Sequence, residues 1–382
     1  MRGTNLCLDG RNRSFFIVCL SALSWSLVTG TRASNVWDGG GSSPKKWSDP
    51  LNWSDDQLPS NSGTLTFPTF DSTAQDLFTA TAGVPNSNFS GIQLTGGWGG
   101  LGSEPPTFAL GMAHNGRIAA DAPGFYGIDG PLLTAGALRV EVVTSSSIHL
   151  QSIIEQPGVT SDVIINADPA HGGTVQIYSP DVLPTYPTYR GTTTISHGTL
   201  AFGALGFGMN TQGQGSYTIG ADAAMLAQGT IGLAAGNIID NSGTLGVNGD
   251  GPIHPLNVIG SLKMNAGSTL IPEIFHEAPG APTYASPINV TGTLDLSAVD
   301  DALLVHLNVP PVPVPAGSYV LSNYGNRIGV FDDLAGLQPG WTISYSSLEN
   351  AGPGQVILNV PEPSMLLALS AALLLTCPRA RR

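Results

Sequence analysis

"YRGTTTISHGTLAFGALGFG" (residues 189–208) holds two short β-prone runs, Thr192–Ser196 and Thr199–Phe202, split by His197-Gly198, and the apolar/polar alternation restarts after the glycine. A glycine at a corner can adopt the left-handed conformation, and the β-branched residues that follow it restart a strand. The same unit, glycine then Thr or Ser then an aliphatic residue, recurs at Gly63, Gly173, Gly229, Gly243, Gly260 and Gly292. The intervals between these glycines are irregular, so the pattern is a degenerate repeat and not a strict array.

Working outward, alternation of period two extends over residues 136–360, as expected of strands with one buried face. In "GALRVEVV", Leu138, Val140 and Val142 face inward while Arg139 and Glu141 face water. In "LLVHLNV", Leu303, Val305, Leu307 and Val309 take the inner face and His306 and Asn308 the outer. The 49 glycines and 29 prolines among 382 residues argue against a helical bundle, because both are poor in helix interiors. The expected class is all-β, with two architectures open: a β-sandwich or barrel, and a parallel β-helix whose coils cover one another's edges.

The 189–208 stretch is similar to the autotransporter-associated β-strand repeat of exported bacterial proteins. That resemblance implies a right-handed parallel β-helix (β-solenoid) rather than a sandwich. "NVWDGGGSSPKKWSDPLNWSDDQLPSNSGTLTF" (35–67) resembles the leading coil of such solenoids. Its Trp37, Trp47 and Trp53 read as a lid on the first coil, with a sugar-stacking platform as the functional alternative. "AGSYVLSNYGNRIGVFDDLAGLQPGWTISYS" (316–346) resembles the segment that closes the last coil.

The two ends read as routing signals. Arg2, Arg11 and Arg13 precede the apolar run Phe15–Val28, and Thr31 and Ala33 follow as small residues, which describes a secretory signal peptide cleaved after Ala33. At the other end, Pro361-Glu362-Pro363 precedes the apolar stretch Met365–Cys377, carried by Met365, Leu366, Leu367, Leu369, Leu373, Leu374 and Leu375 and closed by Arg379, Arg381 and Arg382. Thirteen helical residues span roughly 20 Å against a hydrocarbon core of roughly 30 Å, so the expected transmembrane helix is a short anchor, transient or retained. The order of motif, apolar helix and basic stop resembles the PEP-CTERM sorting tail. The resemblance implies an exosortase-like membrane protease that acts at or near Pro361-Glu362-Pro363.

The expected organisation is therefore a signal peptide (1–33), a Trp/Gly-rich cap (34–70), a loop-rich β region (71–135), a solenoid body (136–315), a closing β segment (316–360) and a sorting tail (361–382). Secretion translocase and exosortase are the expected partners, and the expected location is the cell envelope, cell surface or extracellular space.

Composition excludes several functions. The formal net charge is -13, and of 14 basic residues only Lys45, Lys46, Arg117, Arg139, Arg190, Lys263 and Arg327 lie outside the two end segments. So few cations exclude a nucleic-acid partner, whose affinity depends on neutralising phosphates. Cys7, Cys19 and Cys377 all lie in the end segments, which leaves the body without a disulfide framework or a cysteine zinc site. No nucleophile elbow, His-Glu-x-x-His, phosphate loop or calcium nonapeptide occurs, so no catalytic residue, metal or cofactor is expected. Glu273 and His276 would share a metal-binding face only on a helix, and Pro272 and Pro279 argue for a strand or loop. The seven histidines are scattered and read as solvated surface groups. The functional expectation is a non-enzymatic structural or adhesive protein of the extracellular matrix, with extracellular polysaccharide as a candidate partner. The alternative is a polysaccharide-acting β-helix lyase or hydrolase.

Overall fold

The computed structural model describes residues 35–41, 49–59, 63–68, 89–95, 99–101, 110–177, 189–202, 209–210, 214–247, 255–276, 282–308 and 314–362. The expected signal peptide, Trp47 and the tail from Pro363 onward, with the apolar and basic residues assigned to it, lie outside the described residues. The described chain is all-β apart from one 3-10 turn, Pro50–Asn52, and nearly all of its strands join one large, mostly parallel sheet. Among the described residues no helix is long and apolar enough to cross a membrane.

The parallel pairs sort into three ladders, which the chain visits in rotation. The first runs through Thr64–Phe67, Phe89–Leu94, Leu110–Ala120, Leu138–Val142, Val163–Ile165, Thr193–Phe202, Tyr217–Ala227, Ile238–Asn241, Ser261–Met264, Ile288–Leu296 and Gly317–Gly329. The second takes the later halves of Thr193–Phe202 and Tyr217–Ala227, preceded by Gly99–Leu101, Phe125–Thr134, Ser147–Glu155 and Thr174–Ile177. It continues through Thr244–Val247, Thr269–Ile271, Ala302–Leu304 and Asp333–Ala335. The third contains the ends of the long early strands, where Leu110–Met112 pairs with Leu132–Thr134 and that with Ile153–Glu155, and then Met209–Asn210, Gly229–Gly232, Leu256–Ile259 and the first half of Ile288–Leu296. Along each ladder a strand pairs with the strand one circuit later, an arrangement compatible with a β-helix.

Residues 189–202 show why the chain turns as it does. Ile195 pairs with Ile219 in the first ladder, the register slips, and from His197 onward the strand continues into the second ladder. Gly198 sits at that corner with φ +67°, and a Cβ there would lie 2.4 Å from the Gly173 carbonyl oxygen of the preceding circuit. Only glycine meets both demands. Tyr189, wholly buried, anchors the approach by sharing a 2.6 Å hydrogen bond with the Thr193 hydroxyl.

Inward side chains stack in files along the ladders. One file runs Leu138, Val163, Thr193, Tyr217, Ile239, Leu262 and Leu294, all buried, and ends on Arg327. Another runs Tyr126, Ile148, Val175, Leu200, Met225, Leu245, Leu270 and Leu303 and ends on Leu334, which is 41% exposed. Burying one such side chain contributes about 1.5–3 kcal/mol, so the files supply the main cohesion of the body.

Two regions bear on the expected organisation. Within 71–135, expected to be loop-rich, the strands from Phe89 onward belong to the same ladders as the body. Glycine and alanine obscure the alternation there: in Leu110–Ala120 the buried positions include Met112, Ile118 and the small Ala119 and Ala120, and Asn115 breaks the run at φ 59°. Towards the end the parallel mode stops. Gly317–Gly329 and Thr342–Tyr345 both pair antiparallel with Gly354–Val360, which lies between them.

Candidate functional site

At the entrance, Val36 bridges to Thr66 and the first circuit is covered by aromatic rings. Trp37 and Trp53 meet edge to face at 5.2 Å between centroids, and both lie about 6 Å from Phe67. Trp53 is fully buried and Trp37 is 8% exposed. A sugar needs an open ring face, so these two residues do not form the stacking platform considered from the sequence; their faces are used on one another and on Phe67.

At the exit, Pro361 and Glu362 continue from strand Gly354–Val360 into an open groove of about 390 Å³, walled by Ala316, Gly317, Ser318, Gly340, Thr342 and Asn359. Pro361 is half-buried and Glu362 exposed. The Ser318 hydroxyl donates to Asn359 Oδ1 at 3.0 Å across the groove wall.

The densest charged constellation lies on the outer side of the first ladder and its corner. Arg117 Nε binds Glu141 Oε2, one circuit on, and Arg117 Nη2 lies 3.7 Å from Asp121. Asp121 accepts from Gln93 Nε2 at 3.0 Å and lies 3.5 Å from His171 Nε2. His171 Nδ1 is buried without a hydrogen-bond partner. Beyond the corner, Phe125 and His149 meet edge to face at 4.2 Å between ring centroids. His149 is therefore outward but not freely solvated, and His171 is largely covered. The sequence reading missed this cluster because its members come from four different circuits. Two carboxylates that share a guanidinium beside an imidazole can move protons or bind sugar hydroxyls.

Other charged groups serve the scaffold. Glu155 accepts from the backbone N–H groups of Ser161 and Arg190 and from Arg190 Nε at 2.9 Å. Burial alone would raise its pKa, but these donors together outweigh that and hold it below the ordinary carboxylate value. Asp301, at the corner between the first and second ladders, is wholly buried and accepts the Asp332 N–H at 3.1 Å. Burial, aided by the charges of Asp332 and Asp295, pushes its pKa up to about 6 against the opposing N–H bond. On the third ladder an amide row crosses four strands: Asn289 donates to Asn257 at 2.8 Å, Asn323 to Asn289 at 2.6 Å and Gln355 to Asn323 at 2.8 Å.

Among the described residues no group of three or more His, Cys, Asp or Glu side chains is arranged to hold a metal. No protein-family model matches this chain, and no curated protein matches it. The resemblances of the tail and of the 189–208 stretch therefore rest on their own residues.

Proposed function

We propose that this protein is an exported, non-enzymatic β-solenoid of right-handed sense that serves as a structural or adhesive element of the cell envelope or extracellular matrix. The observation that carries the reading is the three-ladder register, which stacks equivalent residues on long outer faces and supplies a stiff, extended surface. The amide row is one such face. The signal-like start, Pro361-Glu362-Pro363 and the apolar-basic end support routing through a secretion translocase and an exosortase-like protease, and the exposure of Glu362 at the groove lip supports access to it. The test is fractionation and intact mass of the protein from its host, with Pro361-Glu362-Pro363 replaced by alanines in parallel. Release of the wild type without either end, with the variant held at the membrane, supports the reading; identical intact chains in the membrane overturn it.

The charged cluster favours a second reading, a polysaccharide hydrolase that uses Asp121 and Glu141 as paired carboxylates. Reducing-sugar release from bacterial polysaccharides, abolished in Glu141→Gln, would establish it; absence of turnover by the wild type would remove it.

A further inference from the structure

Beside the main sheet stands a small one, in which Glu273–His276 lies between the antiparallel Thr283–Ser286 and the parallel His306–Asn308. The sequence could pair Glu273 with His276 only on a helix. The strand register sets Glu273 directly against His306 instead, although the two are far apart in the chain. Glu273 is 2% exposed, and neither of its carboxylate oxygens has a hydrogen-bond donor. A buried carboxylate in that state is costly unless a cation supplies the missing partner.

His306 Nδ1 lies 3.5 Å from Glu273 Oε1. A hydrogen bond between these atoms would draw them to about 2.7–3.2 Å. A tetrahedral ion with metal–nitrogen and metal–oxygen bonds of about 2.0–2.2 Å holds two such ligands roughly 3.3–3.4 Å apart. The imidazole itself is 61% exposed, which leaves further coordination positions open to water or to a ligand from solution.

We propose that Glu273 and His306 bind a divalent transition-metal ion, of which zinc is the type, with two protein ligands and the remaining positions open. An imidazole and a carboxylate together suit zinc, cobalt or nickel better than calcium or magnesium, which prefer all-oxygen sites. The site lies outside the cluster at Arg117 and does not depend on the export reading.

The test is isothermal titration of the purified full-length chain with zinc chloride, with calcium chloride in parallel, for the wild type, Glu273→Gln, His306→Ala and the control His149→Ala. Expected is zinc binding near one equivalent, at least tenfold tighter than calcium, weakened at least tenfold by either site substitution and unchanged by the control. Equal zinc binding in the wild type and both site variants would overturn the proposal, as would no preference over calcium. Glu273→Gln also keeps the side-chain shape. If it raises the melting temperature of the metal-free chain while zinc leaves that of the wild type unmoved, the carboxylate is an uncompensated buried group and no metal site exists.

Discussion

The two ends of the stack are closed by opposite chemistry. At the first circuit Trp37, Trp53 and Phe67 form a dry aromatic plug. At the last, the inward file that began with Leu138 ends on Arg327, 5% exposed, whose guanidinium lies 4.3 Å from the centroid of the Tyr345 ring and donates to the carbonyls of Gly329 and Ser347. An apolar plug contributes through area and is insensitive to pH; a buried cation contributes only while its acceptors and its ring stay in place. The stack therefore has one end held by apolar area and one held by directed contacts to a buried cation.

The largest expected effect is at the apolar end. Trp53→Ala should lower unfolding stability by about 3–5 kcal/mol, because a fully buried ring leaves a cavity; denaturant titration measures it, and a loss below 1 kcal/mol would mean that the plug is dispensable. At the other end, Arg327→Ala should cost about 2–3 kcal/mol by leaving two carbonyls without their donor. If it costs as much as Trp53→Ala, the contrast between the ends fails.

A third experiment should stabilise. In the folded chain Asp301 holds its proton up to about pH 6, whereas the unfolded chain releases it around 3.8. Between those values the folded state binds more protons, so stability falls as pH rises through the window and is fully regained below it. Asp301→Asn should flatten that slope and raise stability at neutral pH by on the order of 1–2 kcal/mol, after allowance for screening. Melting temperatures from pH 4 to 7 for the wild type and the variant measure this, and parallel curves would reject it. The smallest effect is expected in the amide row: Asn289→Ala breaks two side-chain bonds that face solvent and should cost about 1 kcal/mol. Its hydrogen-exchange footprint should stay in the closing circuits and spare the Trp53 end.

Much of the local pattern was legible. Leu138, Val140 and Val142 are buried and Arg139 is exposed, as alternation requires, and Gly198 is the corner that the broken phase at 189–208 implies. Pairing across circuits was not legible, because circuit length varies with the corners: Arg117 meets a carboxylate 24 residues on, while Arg190 meets one 35 residues back. Glu141 faces outward as its strand dictates, yet the side chain of Arg117 covers it. Asp301 and Arg327 were equally hidden, since a local pattern cannot show that a corner residue or the last of a file will be enclosed. His306 escaped for the same reason, because its partner Glu273 belongs to the preceding circuit.

One consequence concerns force. The chain leaves the described fold through Gly354–Val360, a strand held on both sides by antiparallel neighbours, Gly317–Gly329 and Thr342–Tyr345. A pull on Glu362 along that strand loads the hydrogen bonds of both borders together, in shear, instead of peeling them off singly. If the body is tethered through its tail, tension enters it through a strand bonded along both borders, at the end of the stack opposite the aromatic plug.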